Sequence, residues 1–564
     1  MNEAVVLIGG TLLFFGILIF TMLRENKKRR IKFRKKLAAM WGQFPDREYT
    51  KEELDRISHY AKRQEEEGFR IDAITWNDLD MDRIFMLLNQ TISSPGEDYL
   101  YYLLQKPEFK KETLEERNRL MEYFHSHQEE RRAIQEMLGN IGRLPDTTLS
   151  DAVHVLADIK LPNKRKHILM AMMALTSIVS FMIVPRYGIF IMIAVSCFNI
   201  FQYMKHKDRV DPYLTCFQEV LKMLAAADKL ERCKMPGIAA YLNEISVYKK
   251  ELSKFRKGSH LVVNRGGVTG RLEDLLMDYI RMILHIDLIK FNDMVTEMKK
   301  HQSAVDGLLK NYGILDSMIS VASFREALPY YTLPDFTSAD TKDTAVMEVT
   351  NVYHPLLQEP VANSIHAAGG TLLTGSNASG KSTFLKNIAI NSILAQTIFT
   401  CTATAYNAPF LKIMTSMALK DDLQGGESYY IVEIKSLNRI LEEAKKKEPL
   451  LCVIDEVLRG TNTIERIAAS SRILAALDQK HILTFAATHD IELTYILEDI
   501  YTNYHFEEEV KEQDVVFNYL LESGRATTRN AIRLLDMIGY DKQIVEDSKK
   551  AAEEFEESGV WNFI

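Results

Sequence analysis

The run Gly375-Ser376-Asn377-Ala378-Ser379-Gly380-Lys381-Ser382-Thr383 carries the residue types needed to hold the phosphates of a nucleotide. A glycine-rich loop lets backbone N–H groups point inward at a β-phosphate, a lysine adds a point charge, and a serine hydroxyl ligates Mg²⁺. The chemistry predicted is ATP or GTP binding, with Gly375 through Thr383 as the cradle, Lys381 as the charge and Ser382 as a metal ligand. Such a loop works between a strand and a helix, where the phosphates meet a helix N-terminus. Gly370-Thr371-Leu372-Leu373-Thr374 before it reads as a short apolar strand, and Phe384-Leu385-Lys386-Asn387-Ile388-Ala389 after it as a helix.

A second element closes another apolar strand with two acids: Leu450-Leu451-Cys452-Val453-Ile454-Asp455-Glu456. In that position Asp455 is expected to hold the metal's shell and Glu456 to polarise an attacking water. The plain alternative is a pair of solvated charges at a strand end. Ile482-Leu483-Thr484-Phe485-Ala486-Ala487-Thr488-His489-Asp490 repeats the pattern of apolar strand and polar tip. His489 is expected to face the γ-phosphate as a sensor, the alternative being an ordinary surface or core histidine. Lys381, Glu456 and His489 are thus the expected catalytic residues.

These residues resemble the MutS-type ATPases over most of the chain that follows its N-terminal segment. Thr374 to Thr383 looks like the family's P-loop, Asp455-Glu456 with Arg459-Gly460-Thr461-Asn462-Thr463 like its Walker B strand and following loop, and Ala487-Thr488-His489 like its switch histidine. His354-Pro355-Leu356-Leu357 matches the entry to the family's ATPase domain. Gly425-Gly426-Glu427-Ser428-Tyr429-Tyr430-Ile431-Val432-Glu433 is similar to the segment that presents a serine to the partner subunit's nucleotide, so the resemblance gives Ser428 that role. Read from residues alone, Ser428 is a helix N-cap with an anion-facing N-terminus.

The helical half carries the likeness as well. Leu79-Asp80-Met81-Asp82-Arg83-Ile84-Phe85 and Tyr102-Leu103-Leu104-Gln105-Lys106-Pro107 look like the opening of the family's lever domain. Leu315-Asp316-Ser317-Met318-Ile319-Ser320-Val321-Ala322 and Tyr331-Thr332-Leu333-Pro334 look like its last long helix and exit. Gly539-Tyr540-Asp541-Lys542-Gln543-Ile544-Val545 is similar to the small helical unit that helps pair two ATPase domains. Ser376, Ala378 and Ser379 replace the proline, methionine and glycine usual inside the family's P-loop, and Leu458 stands where a glycine normally precedes Arg-Gly-Thr. The lever-like part begins by about residue 75, so the mismatch-reading domain with its Phe-x-Glu wedge is not expected ahead of it.

Residues 4–23 are uncharged and long enough to cross a bilayer as a helix, and Arg24, Lys27, Lys28, Arg29, Arg30, Lys32, Arg34, Lys35 and Lys36 follow at once. The n-region has no positive charge and no small-x-small site, so an uncleaved anchor is favoured over a signal peptide. Segments 168–184 and 187–204, split by Pro185-Arg186, read as a membrane hairpin. Lys164, Arg165 and Lys166 lie before it, and Lys205 and Lys207 after it, which places both flanks in the cytoplasm. A buried core hairpin is the alternative.

With 564 residues, 46% hydrophobic, the chain can form two or three domains with sizeable cores. Five cysteines without paired spacing indicate neither a disulfide framework nor a zinc site. A net charge of −7 argues against nucleic-acid binding by bulk electrostatics. One local patch stands out: Lys249, Lys250, Lys254, Arg256, Lys257, His260, Arg265 and Arg271, near Gly266-Gly267. In the resemblance this region supplies a DNA clamp; otherwise it is a solvated charged loop.

The fold expected is an α-helical core or lever domain with transmembrane helices, joined to an α/β P-loop NTPase domain of the ABC-like MutS type. Its parts are an anchor and basic segment over 1–36, helical core over 37–167, a transmembrane hairpin over 168–204, a second helical part over 205–336, and the ATPase domain with its C-terminal helices over 337–564. The polar stretch 337–343 is the expected hinge. ATP and Mg²⁺ are the expected cofactors. The expected partners are a second copy of the chain, the bilayer and DNA, at the cytoplasmic face of the cell membrane. An ATP-driven membrane machine, or a nucleotide-gated scaffold without DNA contact, is the competing reading.

Overall fold

The computed structural model describes residues 20–21, 24–25, 27–64, 68–144, 148, 150–151, 153, 164–207, 211–259, 279–336, 344–376, 379–417, 429–458, 461–511, 514–526 and 531–561. Most of the expected N-terminal span and the whole of the expected hinge lie outside them. The chain forms two units. One comprises Met1–Glu66, Leu88–Tyr102 and Arg119–Ala327; the other comprises Glu67–Leu87, Leu103–Asn118 and Leu328–Ile564.

The first unit is helical. Its organising helices are α1 (Ser94–Gln105), α2 (Lys164–Ile183), α3 (Pro185–Lys207), α4 (Ile286–Lys300) and α5 (Gln302–Ala327). Every residue of α5 from Leu315 to Arg325 is buried, so this helix is core on all sides rather than amphipathic. Burying its small polar residues requires partners, and they are present. Ser317 donates to the Gly96 carbonyl at 3.0 Å and Ser320 to the Leu88 carbonyl at 2.6 Å. Asp316 accepts from the backbone N–H groups of Ile92 (3.0 Å) and Ser93 (2.9 Å) and from the Ser93 hydroxyl (2.6 Å), which anchors the approach to α1. Burial pushes the Asp316 carboxyl up to about 6, against the pull of those donors. The approach is close enough to demand glycine: a Cβ on Gly96 would stand 2.2 Å from Asp316 Oδ2, and one on Gly313 2.6 Å from Tyr99 Cβ.

The hairpin read over 168–184 and 187–204 is present as α2 and α3, each extended at its polar end. Pro185 opens α3, where its missing N–H costs no hydrogen bond. By length and composition both helices can cross a membrane, and their apolar side chains face outward, Met182 and Ile183 at 76% and 75% exposure. The hairpin is tied to its own unit by polar groups. Asn199 donates to the Met170 and Ile283 carbonyls at 2.9 and 2.8 Å, and Tyr203 donates to Asp287 at 2.5 Å.

The second unit is α/β, with strands β1 (Val346–Val352), β2 (Asn363–Ala368), β3 (Gly370–Thr374), β4 (Ala405–Asn407), β5 (Lys412–Ser416), β6 (Leu450–Asp455), β7 (Ile482–Ala487), β8 (Tyr501–Lys511) and β9 (Asp514–Ser523). Its helices include α6 (Lys381–Ile398), α7 (Tyr429–Ala444), α8 (Thr463–Ala476), α9 (Ile491–Ile496), α10 (Ala531–Ile538) and α11 (Lys542–Ser558). A six-stranded sheet runs β5-β6-β7-β3-β8-β9 and a small antiparallel sheet β2-β1-β4. All neighbours in the large sheet are parallel except β8 and β9. Strands β3, β6 and β7 are buried along their whole length, which explains their continuous apolar sequences.

Residues 67–87 and 103–118, which the sequence reading gathers into the helical core of 37–167, group with this α/β unit. The reason is polar. Thr415 on β5 donates its hydroxyl to Asp78 at 2.6 Å, Met417 donates its N–H to the same carboxylate at 3.0 Å, and Lys386 on α6 pairs with Asp80 at 2.7 Å.

Candidate nucleotide site

Topology brings the three singled-out motifs together. Strand β3 ends at Thr374 beside β7, where Leu373 pairs with Ala487, and Ala487 pairs in turn with Asp455 at the end of β6. The P-loop, the acid pair and the Thr488-His489 tip therefore leave the carboxyl ends of three adjacent parallel strands. From β3 the chain builds β5, β6 and β7 on one side and β8 and β9 on the other, and ligands bind at such switch points.

Gly375 and Gly380 adopt φ of 139° and 107°, the region that favours glycine. A Cβ on Gly375 would lie 2.8 Å from the Phe506 carbonyl oxygen, so the first turn of the loop is built against β8. Gly380 caps α6, and Lys381 begins it. The Lys381 ammonium donates to the carbonyls of Gly375 (2.7 Å) and Ser376 (2.6 Å), lying back across its own loop. Ser376 donates its hydroxyl to Glu508 of β8. Ser376, Gly380, Lys381, Ser382, Thr383 and Glu456 line one cavity of about 500 Å³. Asn377, Ala378 and Ser428 lie outside the described residues, as do Arg459 and Gly460; α7 is described from Tyr429.

Two buried oxygens here have no hydrogen-bond partner among the described residues, the Ser379 hydroxyl and Asp455 Oδ1. Buried polar atoms of this kind call for a ligand or ion. Together with the Gly375 cradle and a cavity of ligand-binding size, they fit a nucleotide with its divalent cation: Gly375–Thr383 would hold the phosphates, and Ser382 and Asp455 the metal.

Glu456 reaches the cavity wall with its backbone at φ 58°, and Leu458 follows at φ 59°. Each left-handed non-glycine residue costs roughly 1–2 kcal/mol. At Leu458, the position that departs from glycine, the cost is offset by burial at 5% exposure and by an N–H donated to Glu433. His489 meets the cavity through Glu456, its Nε2 standing 2.8 Å from Glu456 Oε1. Asp490, next in sequence, takes a two-pronged ion pair from Arg466 on α8 at 2.8 and 2.5 Å, which braces the end of β7. That pair holds the Arg466 guanidinium above its ordinary pKa.

Sequence reasoning missed much of the opposite wall: His354 in its ligand-facing place, Asn363, Phe506 and Tyr519. Burial pushes the His354 imidazole down to about 4, so it stands there neutral. The Phe506 ring packs on Phe384 of α6 at 5.9 Å. These residues come from separate strands and loops: the pairing of β8 with β3 brings in Phe506, and Asn363 of β2 is joined to β9 by hydrogen bonds to Tyr519 and Leu521.

The basic patch is less available than its sequence suggests. Lys249 bridges Asp228 (3.1 Å) and Glu231 (2.5 Å), and Arg256 pairs with Asp228 at 2.5 Å. Lys250, Lys254 and Lys257 are exposed, while His260, Arg265 and Arg271 lie outside the described residues.

A phosphate loop, an acid pair and a polar strand tip at the carboxyl ends of neighbouring parallel strands define a P-loop nucleotide-binding unit. Residues 371–556 match the family model of MutS domain V. Over 201 residues the chain is 32% identical to the DNA mismatch repair protein MutS of Thermus thermophilus, covering 35% of this chain and 24% of the relative. It is 31% identical over 334 residues to the DNA mismatch repair protein MutS of Leptospira interrogans serovar Lai, covering 56% and 38%. It is 28% identical over 299 residues to MutS protein homolog 4 of Homo sapiens, covering 50% and 31%. Residues 371–556 are thus similar to MutS domain V, and the chain spans 24 to 38% of the length of these relatives.

Proposed function

We propose that the chain is a MutS-type ATPase whose nucleotide-dependent opening and closing drives a helical lever. The convergence of Lys381, Asp455, Glu456 and His489 at the ends of β3, β6 and β7 supports this reading. In it, the P-loop N–H groups and Lys381 bind and orient the phosphates. Ser382 and Asp455 would hold Mg²⁺, which when bound would supply charge neutralisation on the phosphate oxygens. Glu456 orients and deprotonates the attacking water, and His489 holds Glu456 and senses the phosphate side. Two copies pair through their ATPase domains, with Ser428 of one reaching the other's nucleotide.

The relatives are named for DNA mismatch repair, which makes DNA the first partner to try. Pairing of Lys249 and Arg256 with acids of their own unit favours a second reading in which that patch touches no DNA and the ATPase drives a membrane machine or gates a scaffold. The deciding experiment is ATP hydrolysis by the detergent-purified full-length chain, with and without linear, branched and mismatched DNA, using Lys381→Ala as the blank. Stimulation by DNA that weakens with rising salt and with Lys254→Glu supports the first reading. Turnover indifferent to every DNA excludes it.

The outward apolar faces of α2 and α3, with lysines at the polar ends, support anchoring of this hairpin in the cell membrane, with the ATPase unit cytoplasmic and the segment 4–23 as a third span. Liposome flotation checks it. The chain is expected to rise with vesicles and to resist alkaline extraction; a chain that stays monodisperse and lipid-free without detergent excludes the anchor.

A further inference from the structure

Strand β8 presents two faces with different roles. Phe506 packs on Phe384 and Glu508 takes the Ser376 hydroxyl, so these residues face the P-loop. The pleat turns His505 and Glu507 to the other face. Glu522 of β9 lies directly opposite His505 in the antiparallel register, and the pairing slips from Phe506–Leu521 to Glu508–Phe517, so that Glu507 faces a bulge in β9 around Tyr519, whose φ is 54°. Bulges re-aim side chains.

The result is a nitrogen and two carboxylates whose ligand atoms all lie within 4.8 Å of one another. His505 is 6% exposed, and its Nδ1 lies 3.1 Å from the Gly524 carbonyl oxygen. A carbonyl can only accept, so this bond places a proton on Nδ1 and turns Nε2 toward the carboxylates. Nε2 stands 3.2 Å from Glu507 Oε1. A proton on Nε2 or a metal cation between the two atoms satisfies such a pair, and the second carboxylate, Glu522, gives a cation a further ligand. Metal–ligand bonds of about 2.0–2.2 Å in tetrahedral or octahedral geometry set adjacent ligand atoms about 3.0–3.5 Å apart, the spacing of the His505–Glu507 pair. A backbone carbonyl fixing the far ring nitrogen is the usual second-shell support of a ligating histidine.

We propose that His505, Glu507 and Glu522 form a site for a first-row divalent cation, Mn²⁺ or Zn²⁺, on the sheet face away from the nucleotide cavity. One imidazole with two carboxylates suits these ions better than Mg²⁺, which avoids nitrogen ligands. Glu507 is partly exposed and Glu522 exposed, which leaves an entry path and room for water ligands.

The test is Mn²⁺ binding to the EDTA-treated, detergent-purified full-length chain, read by electron paramagnetic resonance in an Asp455→Asn background that silences the nucleotide-side metal position. One Mn²⁺ per chain is expected, displaced by equimolar Zn²⁺ but not by equimolar Mg²⁺. Glu507→Gln with Glu522→Gln is expected to weaken it by about tenfold or more, at least the loss that removing second-shell partners alone causes. Both positions reach solvent, and an unchanged thermal melt checks that the fold persists. Equal binding in the double variant, equal displacement by Mg²⁺, or no bound Mn²⁺ at millimolar concentration overturns the site.

Discussion

Glu456→Gln is expected to lower ATP turnover by about 10²–10⁴-fold while nucleotide affinity stays within a few fold of the parent chain, since that range is what a positioned general base contributes. Glutamine keeps the size of the side chain and can still accept from His489, whose Nε2 stands 2.8 Å from Glu456 Oε1. It cannot take a proton from water. Lys381, Ser382 and Asp455 are untouched, so the phosphates and metal keep their ligands. Single-turnover hydrolysis beside equilibrium binding of a fluorescent nucleotide separates the two effects. Undiminished turnover in Glu456→Gln would remove Glu456 from the reaction and point to a scaffold with incidental hydrolysis.

The second large effect concerns the helical unit. Asp316→Ala is expected to destabilise it by about 3 kcal/mol or more, because two backbone N–H groups and the Ser93 hydroxyl lose their buried acceptor at once. The same carboxylate predicts a pH dependence. Burial raises Asp316 to about 6 in the folded chain, above the ordinary 3.8. Between those values the folded chain holds a proton that the unfolded chain has released, so this group's contribution falls as pH rises from about 4 to about 6 and is level above. Denaturation midpoints of the parent and Asp316→Asn, compared at pH 4.5 and 7, isolate the effect: the parent is expected to lose more stability across the interval than the asparagine variant. Parallel shifts in both would show that Asp316 is ionised throughout.

What the sequence discloses here is what local pattern encodes. Gly375 and Gly380 with Lys381 announce a phosphate loop because each residue acts through its own backbone or charge, and β6 and β7 announce themselves as unbroken apolar runs because both faces are buried. The hairpin of α2 and α3 is legible as two unbroken apolar runs split by Pro185-Arg186, although their faces are exposed. Asp316 is not. In sequence it reads as one polar residue in a long helix, and its role depends on Ile92 and Ser93 far away in the chain. The bridging of Lys249 by Asp228 and Glu231 is hidden likewise, since a run of positive residues looks the same whether or not another helix supplies acids. The assignment of 67–87 to the α/β unit turns on Asp78 and Asp80 finding Thr415 and Lys386, partners no spacing rule connects.

The left-handed pair Glu456 and Leu458 leaves no mark in the sequence beyond a missing glycine, yet it sets a thermodynamic bias. Two such residues place this arrangement of the loop roughly 2–4 kcal/mol above one with relaxed backbone and equal contacts. On a logarithmic scale of populations that is about 30- to 1,000-fold. Any event that releases the Leu458 amide from Glu433, or turns Glu456 off His489, begins with that factor already in its favour. A glycine at 458 would forfeit its share of the bias, so the leucine makes the loop after β6 a spring held wound by its neighbours.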